Sequence, residues 1–232
     1  MDRTGATIVQ LERVVMRYGT AEAVLHDINL GLTAGSFHFL VGPSGAGKTS
    51  LFRLLSLSHP PASGRVVLFG RDVSGLDGAA VSGLRRRVGI VFQESRLIEH
   101  LTAFDNVALP LRIRGAGVGQ VSTRVSELLA WLGLGDVLER RPAELSTGQR
   151  QLVAVARAVI GRPSLLLADE PTSFIDTARA RRLMELFRSL HRLGTAVVLA
   201  THSERLVREH PFPVLRIEAG HLTAGEPLPM TA

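Results

Sequence analysis

The chain has 232 residues, 45% of them hydrophobic, with 27 Lys+Arg against 21 Asp+Glu, a formal net charge of +6 and no cysteine. That length and composition suit a self-supporting globular core, and the lack of cysteine excludes disulfides, thiolate metal sites and cysteine nucleophiles. One Tyr and one Trp offer little surface for stacking nucleic-acid bases, and positive runs such as Arg85-Arg86-Arg87 read as solvated helix faces.

Met1 to Thr4 lead into no apolar signal core. The longest stretch free of Asp, Glu, Lys and Arg, Ile28 to Gly47, is broken by glycines, Thr33 and Pro43, so no membrane span is expected. Ile8 to Val15 and Ala23 to Leu32 have the β-branched content of strands, and Phe37 to Val41 is a short apolar run of the buried parallel kind. A glycine loop follows directly, then Thr49 to Leu55 with helical spacing. Pro60-Pro61-Ala62-Ser63-Gly64 stops that helix, and Arg65 to Phe69 reads as an edge strand. From Leu101 to Val159 the pattern is helical, clearest over Val121 to Leu132, with Gly133 as terminator. Apolar strands return at Leu165 to Ala168 and Ala196 to Ala200, separated by a helix from about Ala178 to Leu193 that Gly194 caps. The sheet is therefore built from both ends of the sequence around a helical insert. From Ala219 onward a strand end and a loose tail are expected.

The glycine loop, Gly42-Pro43-Ser44-Gly45-Ala46-Gly47-Lys48-Thr49, fits the phosphate-binding pattern G-x-x-x-x-G-K-[ST]. Every Lys+Arg position of the chain except Lys48 is arginine. A compact ammonium on a flexible stem can thread under a glycine loop toward phosphates, where a planar guanidinium is too wide. The loop lies between a strand and a helix N-terminus, where free N–H groups and the dipole favour anions. Leu165-Leu166-Leu167-Ala168-Asp169-Glu170 then places two carboxylates at the C-terminal end of an apolar strand, where ligands of open α/β sheets sit. Asp169 is a candidate Mg²⁺ ligand and Glu170 a candidate base for the water that attacks a γ-phosphate.

With these residues in place the chain resembles the ATP-binding subunits of ABC transporters. Leu145-Ser146-Thr147-Gly148-Gln149 and the helix behind it resemble their signature motif. Phe92-Gln93 is similar to their glutamine loop, Ala200-Thr201-His202 to their histidine switch, and Tyr18 stands where they stack an aromatic ring on adenine. The resemblance implies a P-loop NTPase with a RecA-like, mostly parallel sheet, an antiparallel β subdomain and an inserted α-helical subdomain. The implied division is 1–93 plus 161–220 as nucleotide-binding core, 94–160 as helical signature subdomain and 221–232 as tail. It also implies ATP and Mg²⁺ as cofactors. Tyr18, Gly42, Pro43, Ser44, Gly45, Ala46, Gly47, Lys48, Thr49 and Ser50 would bind the nucleotide from one copy, and Ser146, Gly148 and Gln149 from a second, head-to-tail copy. Thr49, Gln93 and Asp169 would place the metal; Glu170, His202, Lys48 and Gln93 would carry catalysis.

Three positions depart from the family pattern: Thr147 where glycine is usual, Leu152 where arginine is usual, and Ser173-Phe174-Ile175-Asp176 after Glu170-Pro171-Thr172. Thr147 brings strain if its position requires positive φ, and slow hydrolysis is expected. The segment from Leu84 through Leu111 is most similar to the bacterial cell-division branch, the FtsE type. This implies a four-span membrane partner of FtsX type, other division proteins as possible partners, and a place on the inner face of the plasma membrane. Lipoprotein-release and macrolide-export ATPases share much of the pattern. A scaffold with little turnover and a nucleic-acid-associated ATPase are the readings from other classes, the latter disfavoured by the single cassette. Leu97, Ile98, Leu101, Phe104 and Val107 are read either as a groove for a partner helix or as core.

Overall fold

The computed structural model describes residues 5–225. Two sheets and seven helices alternate in the order expected of a chain that returns to its own sheet. Strands β1 (Thr7–Arg17), β2 (Ala23–Thr33), β4 (Ser63–Leu68) and β5 (Arg71–Asp72) form an antiparallel sheet in the order β2-β1-β4-β5. The second sheet contains β3 (Phe37–Val41), β6 (Val88–Val91), β7 (Leu165–Asp169), β8 (Ala196–Ala200), β9 (Val214–Glu218) and β10 (His221–Gly225), ordered β10-β9-β3-β8-β7-β6. All its pairings are parallel except β9 with β10.

The apolar runs that look uniform in sequence are divided between two cores by the period of two. Leu165, Leu167, Ala196, Val198 and Ala200 face the antiparallel sheet and helix α1 (Lys48–Leu55). Leu166, Ala168, Val197 and Leu199 face the other way, onto Leu183, Met184, Phe187 and Leu190 of helix α6 (Thr177–Arg192). Strands buried on both faces therefore lack polar alternation. Asp176 caps α6 by accepting from the Arg179 N–H, and Gly194, at φ 92°, follows its end.

Helices α3 (Ala103–Ile113), α4 (Val118–Trp131) and α5 (Thr147–Val159) gather around a separate apolar cluster that includes Val107, Val125, Leu129 and Val153. Two short helices, α2 (Gly78–Arg85) and α7 (Glu204–Glu209), are the remaining α-helices among the described residues. No helix among the described residues is long and apolar enough to cross a membrane.

Two expectations change. The strand expected at the sheet edge from Arg65 lies inside, between β1 and β5, because the two-residue β5 is too short to register as a hydrophobic pattern. The tail expected to be loose from residue 221 is strand as far as Gly225; Gly220 at its head donates to the Ala46 carbonyl at 3.1 Å and accepts from the His26 N–H at 2.9 Å. Residues 226–232 of that expected tail lie outside the described residues.

Candidate functional site

The phosphate loop joins β3 to α1, and Gly42 and Gly47 are required by what surrounds them. A Cβ on Gly42 would lie 2.1 Å from the Ile217 carbonyl oxygen of β9, and one on Gly47, at φ 113°, would lie 2.8 Å from the Leu25 side chain. At Gly42 and Gly47 the loop is thus pressed against β9 and β2 with no room for a side chain, whereas Gly45 is needed for its φ of 79° alone. Gly47 is the residue before the first turn of α1, and no side chain caps that turn; its N–H groups face the loop, as an anion site requires.

Lys48 is buried, and its Nζ donates to the Gly42 and Pro43 carbonyls at 2.7 and 3.0 Å and lies 3.3 Å from His202 Nε2. Burial pushes the Lys48 ammonium down from its ordinary value, while Asp169 and Glu170 pull it back up. Thr49 Oγ1 donates to Asp169 Oδ2 at 3.0 Å. Burial raises the Asp169 carboxyl, opposed by that hydrogen bond and by Lys48 and His202. These are hard oxygen donors, and among the described residues no group of three or more His, Cys, Asp or Glu could enclose a metal. Such a sparse set fits Mg²⁺, which keeps waters and takes phosphate oxygens for the rest of its shell.

Glu170 is buried just past the end of β7. Its Oε1 accepts from the His202 N–H at 2.6 Å and its Oε2 from the hydroxyls of Ser173 and Thr201, at 3.2 and 3.3 Å. Its φ of 46° is unusual for a side-chain-bearing residue, a cost that neighbouring contacts must hold in place. Three donors on one carboxylate fix its rotamer. Thr201 stands within the Ala200-Thr201-His202 motif but has no site role in the sequence reading; its place one residue before the histidine is the signal that would have found it.

One cavity of about 270 Å³ is lined by Ser44, Gly45, Gly47, Lys48, Thr49 and Ser50 together with Gln93, Asp169, Glu170 and His202. Tyr18 does not itself line it; its hydroxyl lies 3.1 Å from Oγ of Ser50, which does. Ser146, Gly148 and Gln149 do not line it. They form the N-terminus of α5, where Ser146 Oγ accepts from the Gln149 N–H and Gln149 Oε1 from the Ser146 N–H, a closed capping box.

The departures from the family pattern resolve individually. Thr147 is the first residue of α5 and is not among the positive-φ residues, so the expected strain does not arise. Its hydroxyl accepts from Arg150 at 3.2 Å. Leu152 is buried in the helical cluster, and Phe174 is 49% exposed. The backbone of Phe174 presses on the signature: a Cβ on Gly148 would lie 2.7 Å from its carbonyl oxygen. Of the proposed groove residues, Leu97 and Val107 are buried in the helical core, which removes them as a docking surface.

The ABC transporter family profile matches residues 25–173. The cell-division ATP-binding protein FtsE of Mycobacterium tuberculosis is 39% identical over 94% of this chain and 96% of its own; that of Escherichia coli is 36% identical over 94% and 98%. The methionine import ATP-binding protein MetN of Bradyrhizobium diazoefficiens is 42% identical over 85% of this chain, but the match spans only 58% of that relative. Among solved structures, the ATP-binding cassette MJ0796 in a dimeric post-hydrolysis state bound to ADP and Pi superposes with a TM-score of 0.89. It is 31% identical, covering 96% of this chain and all of the other. The chain belongs to the ABC transporter family, as one of its ATPase cassettes.

Proposed function

We propose that the chain is the ATP-hydrolysing subunit of a membrane complex of the FtsE–FtsX kind, in which two copies close on nucleotide and relay its hydrolysis through a membrane partner to control of cell-wall hydrolases. The observation that carries the hydrolytic part is the Glu170 carboxylate, held by three donors beside Lys48 and the Thr49–Asp169 pair. Lys48 and the loop amides hold the phosphates, and Tyr18 stacks the base. Thr49, Asp169 and Gln93 would hold Mg²⁺, which neutralises charge on the phosphates when bound. Glu170 orients a water and takes its proton as the oxygen attacks the γ-phosphorus and the bond to the β-γ bridging oxygen breaks. His202, whose Nε2 lies 3.8 Å from Glu170 Oε1, keeps carboxylate and γ-phosphate aligned.

Residues 94–160 are the signature subdomain in this reading. Ser146, Gly148 and Gln149 lie outside the chain's own cavity and so act on the nucleotide of a second copy. The dimeric form of the solved MJ0796 cassette supports that arrangement. Phosphate release by the purified chain, with retained ATP binding but about 100-fold or greater loss in Glu170→Gln, tests the chemistry. Release unchanged by the substitution would overturn the role of Glu170.

The FtsE likeness supports the cell-division complex, and the MetN likeness supports a methionine importer as the second reading. The partner surface we assign is a cleft of about 450 Å³ lined by Phe92, Leu109, Pro110 and Ile113 with Arg85, Arg86 and Arg114, and by no acidic residue. The hydrogen bonds of these arginines go to the carbonyls of Leu57, Arg86 and Gly161 and to the Ser82 hydroxyl, and no carboxylate among the described residues pairs with them. A short partner helix with apolar and acidic side chains fits it. Capture of the chain from solubilised membranes should bring down an FtsX-type four-span protein, and Ile113→Asp should abolish that capture while ATP binding persists. Recovery of a methionine permease instead would decide for the second reading.

A further inference from the structure

Tyr18, the only tyrosine of the chain, is half-buried just past β1. Its polar end is fastened to the phosphate-loop helix. Arg53 Nη1 donates to the Tyr18 hydroxyl at 3.1 Å, and that hydroxyl lies 3.1 Å from Ser50 Oγ. Arginine only donates, so the phenol oxygen accepts from Arg53 and its own proton is free for Ser50. Ser50 and Arg53 stand three residues apart on α1, on one face. The Arg53 guanidinium lies 5.5 Å from the ring centroid, and the His59 ring 4.8 Å from it at 50°. His59 is itself fixed, with Nε2 at 2.9 Å from the Arg17 carbonyl, to which it donates.

The ring packs against the apolar core, and its hydroxyl is committed to α1 as well. Arg53 has no carboxylate partner among the described residues; its hydrogen bond goes to the phenol. Ser50 also lines the nucleotide cavity, so a single helix sets both the phosphate end and the orientation of the ring. Fixing the phenol at its head removes rotation that base stacking would otherwise have to freeze.

We infer that Arg53, through the Tyr18 hydroxyl shared with Ser50, is a positioning residue for nucleobase recognition that holds the tyrosine ring in stacking orientation. The inference rests on the proposed role of Tyr18 as the base platform. Arg53 touches no nucleotide in this account; it acts through the tyrosine.

The test is equilibrium binding of ATP and of inorganic tripolyphosphate to the full chain. Tyr18→Phe and Arg53→Met are each expected to weaken ATP binding about three- to tenfold and to leave tripolyphosphate binding unchanged. The double variant should be no weaker than either single one, and Arg53→Lys should recover part of the loss. Parallel losses of ATP and tripolyphosphate, or additive effects in the double variant, would overturn the inference. Tyr18→Ala separates it from the reading beneath it: unchanged ATP affinity there removes the base platform altogether. Weakened binding in Tyr18→Ala with parental binding in Tyr18→Phe keeps the platform and removes the clamp. Should Arg53→Met fail to fold, Tyr18→Phe alone decides, because it deletes one oxygen and keeps the ring.

Discussion

Lys48 shows how much one side chain's shape can decide. Its ammonium fits between two loop carbonyls and His202, a pocket for a point charge rather than a plane. Lys48→Arg keeps the charge and is expected to lower ATP affinity at least about tenfold in calorimetry; parental affinity would mean that charge alone suffices. Gly42 makes the complementary case. Because a Cβ there meets the Ile217 backbone oxygen at 2.1 Å, Gly42→Ala must displace β9 or the loop. It should cost about 1–3 kcal/mol in chemical denaturation, with nucleotide binding impaired as well. Both residues stand out in the motif, but the neighbour that forbids the methyl group is 175 positions away and does not.

Among elements, the segment between β6 and α3 is held by side chains rather than by a ladder. Asn106, fully buried in α3, accepts from the Ile98 N–H at 2.9 Å and donates to the carbonyls of Ile98, Leu101 and Thr102. Arg157 of α5 reaches the same Asn106 oxygen at 3.3 Å and the carbonyls of Ser95 and Arg96 at 3.2 and 2.8 Å. The segment following Gln93 is thereby tied to α5. Asn106→Ala leaves several of these groups without partners and should cost about 2–3 kcal/mol. Faster hydrogen exchange at Ile98 than in the parent would locate the loss, and unchanged exchange would contradict it. The amphipathic pattern of α4 was plain in sequence because its buried residues Val121, Val125 and Leu129 repeat at i, i+4 and i+8. The short β6 and α7 were not, since four apolar residues or six mixed ones carry no readable period.

At the scale of the whole molecule, stability should depend on pH through two histidines. Burial pushes His38 below its ordinary value of 6.5, and burial together with Arg188, 2.7 Å from His210 Nδ1, does the same to His210. The unfolded chain therefore binds more protons than the folded one just below pH 6.5. Their contribution is fully present above that pH and is lost as pH falls through the folded-state values. Denaturation at pH 7.5 and 5.5 should show the parent less stable at the lower pH, and His38→Gln with His210→Gln should flatten the difference; an equal slope in the variant would refute the assignment. The sequence by itself determined the phosphate loop, the Asp169–Glu170 strand end, the helical insert and the two-faced apolar strands. Each of these is written in residue types at short, fixed spacing. Only the tertiary structure decided that β9 and Gly220 brace the loop, that Thr201 and Ser173 hold Glu170, and that Arg53 fastens Tyr18. Those contacts join residues separated by a chain reversal or a crossover, and local periodicity carries no information about which distant segments come to rest against each other.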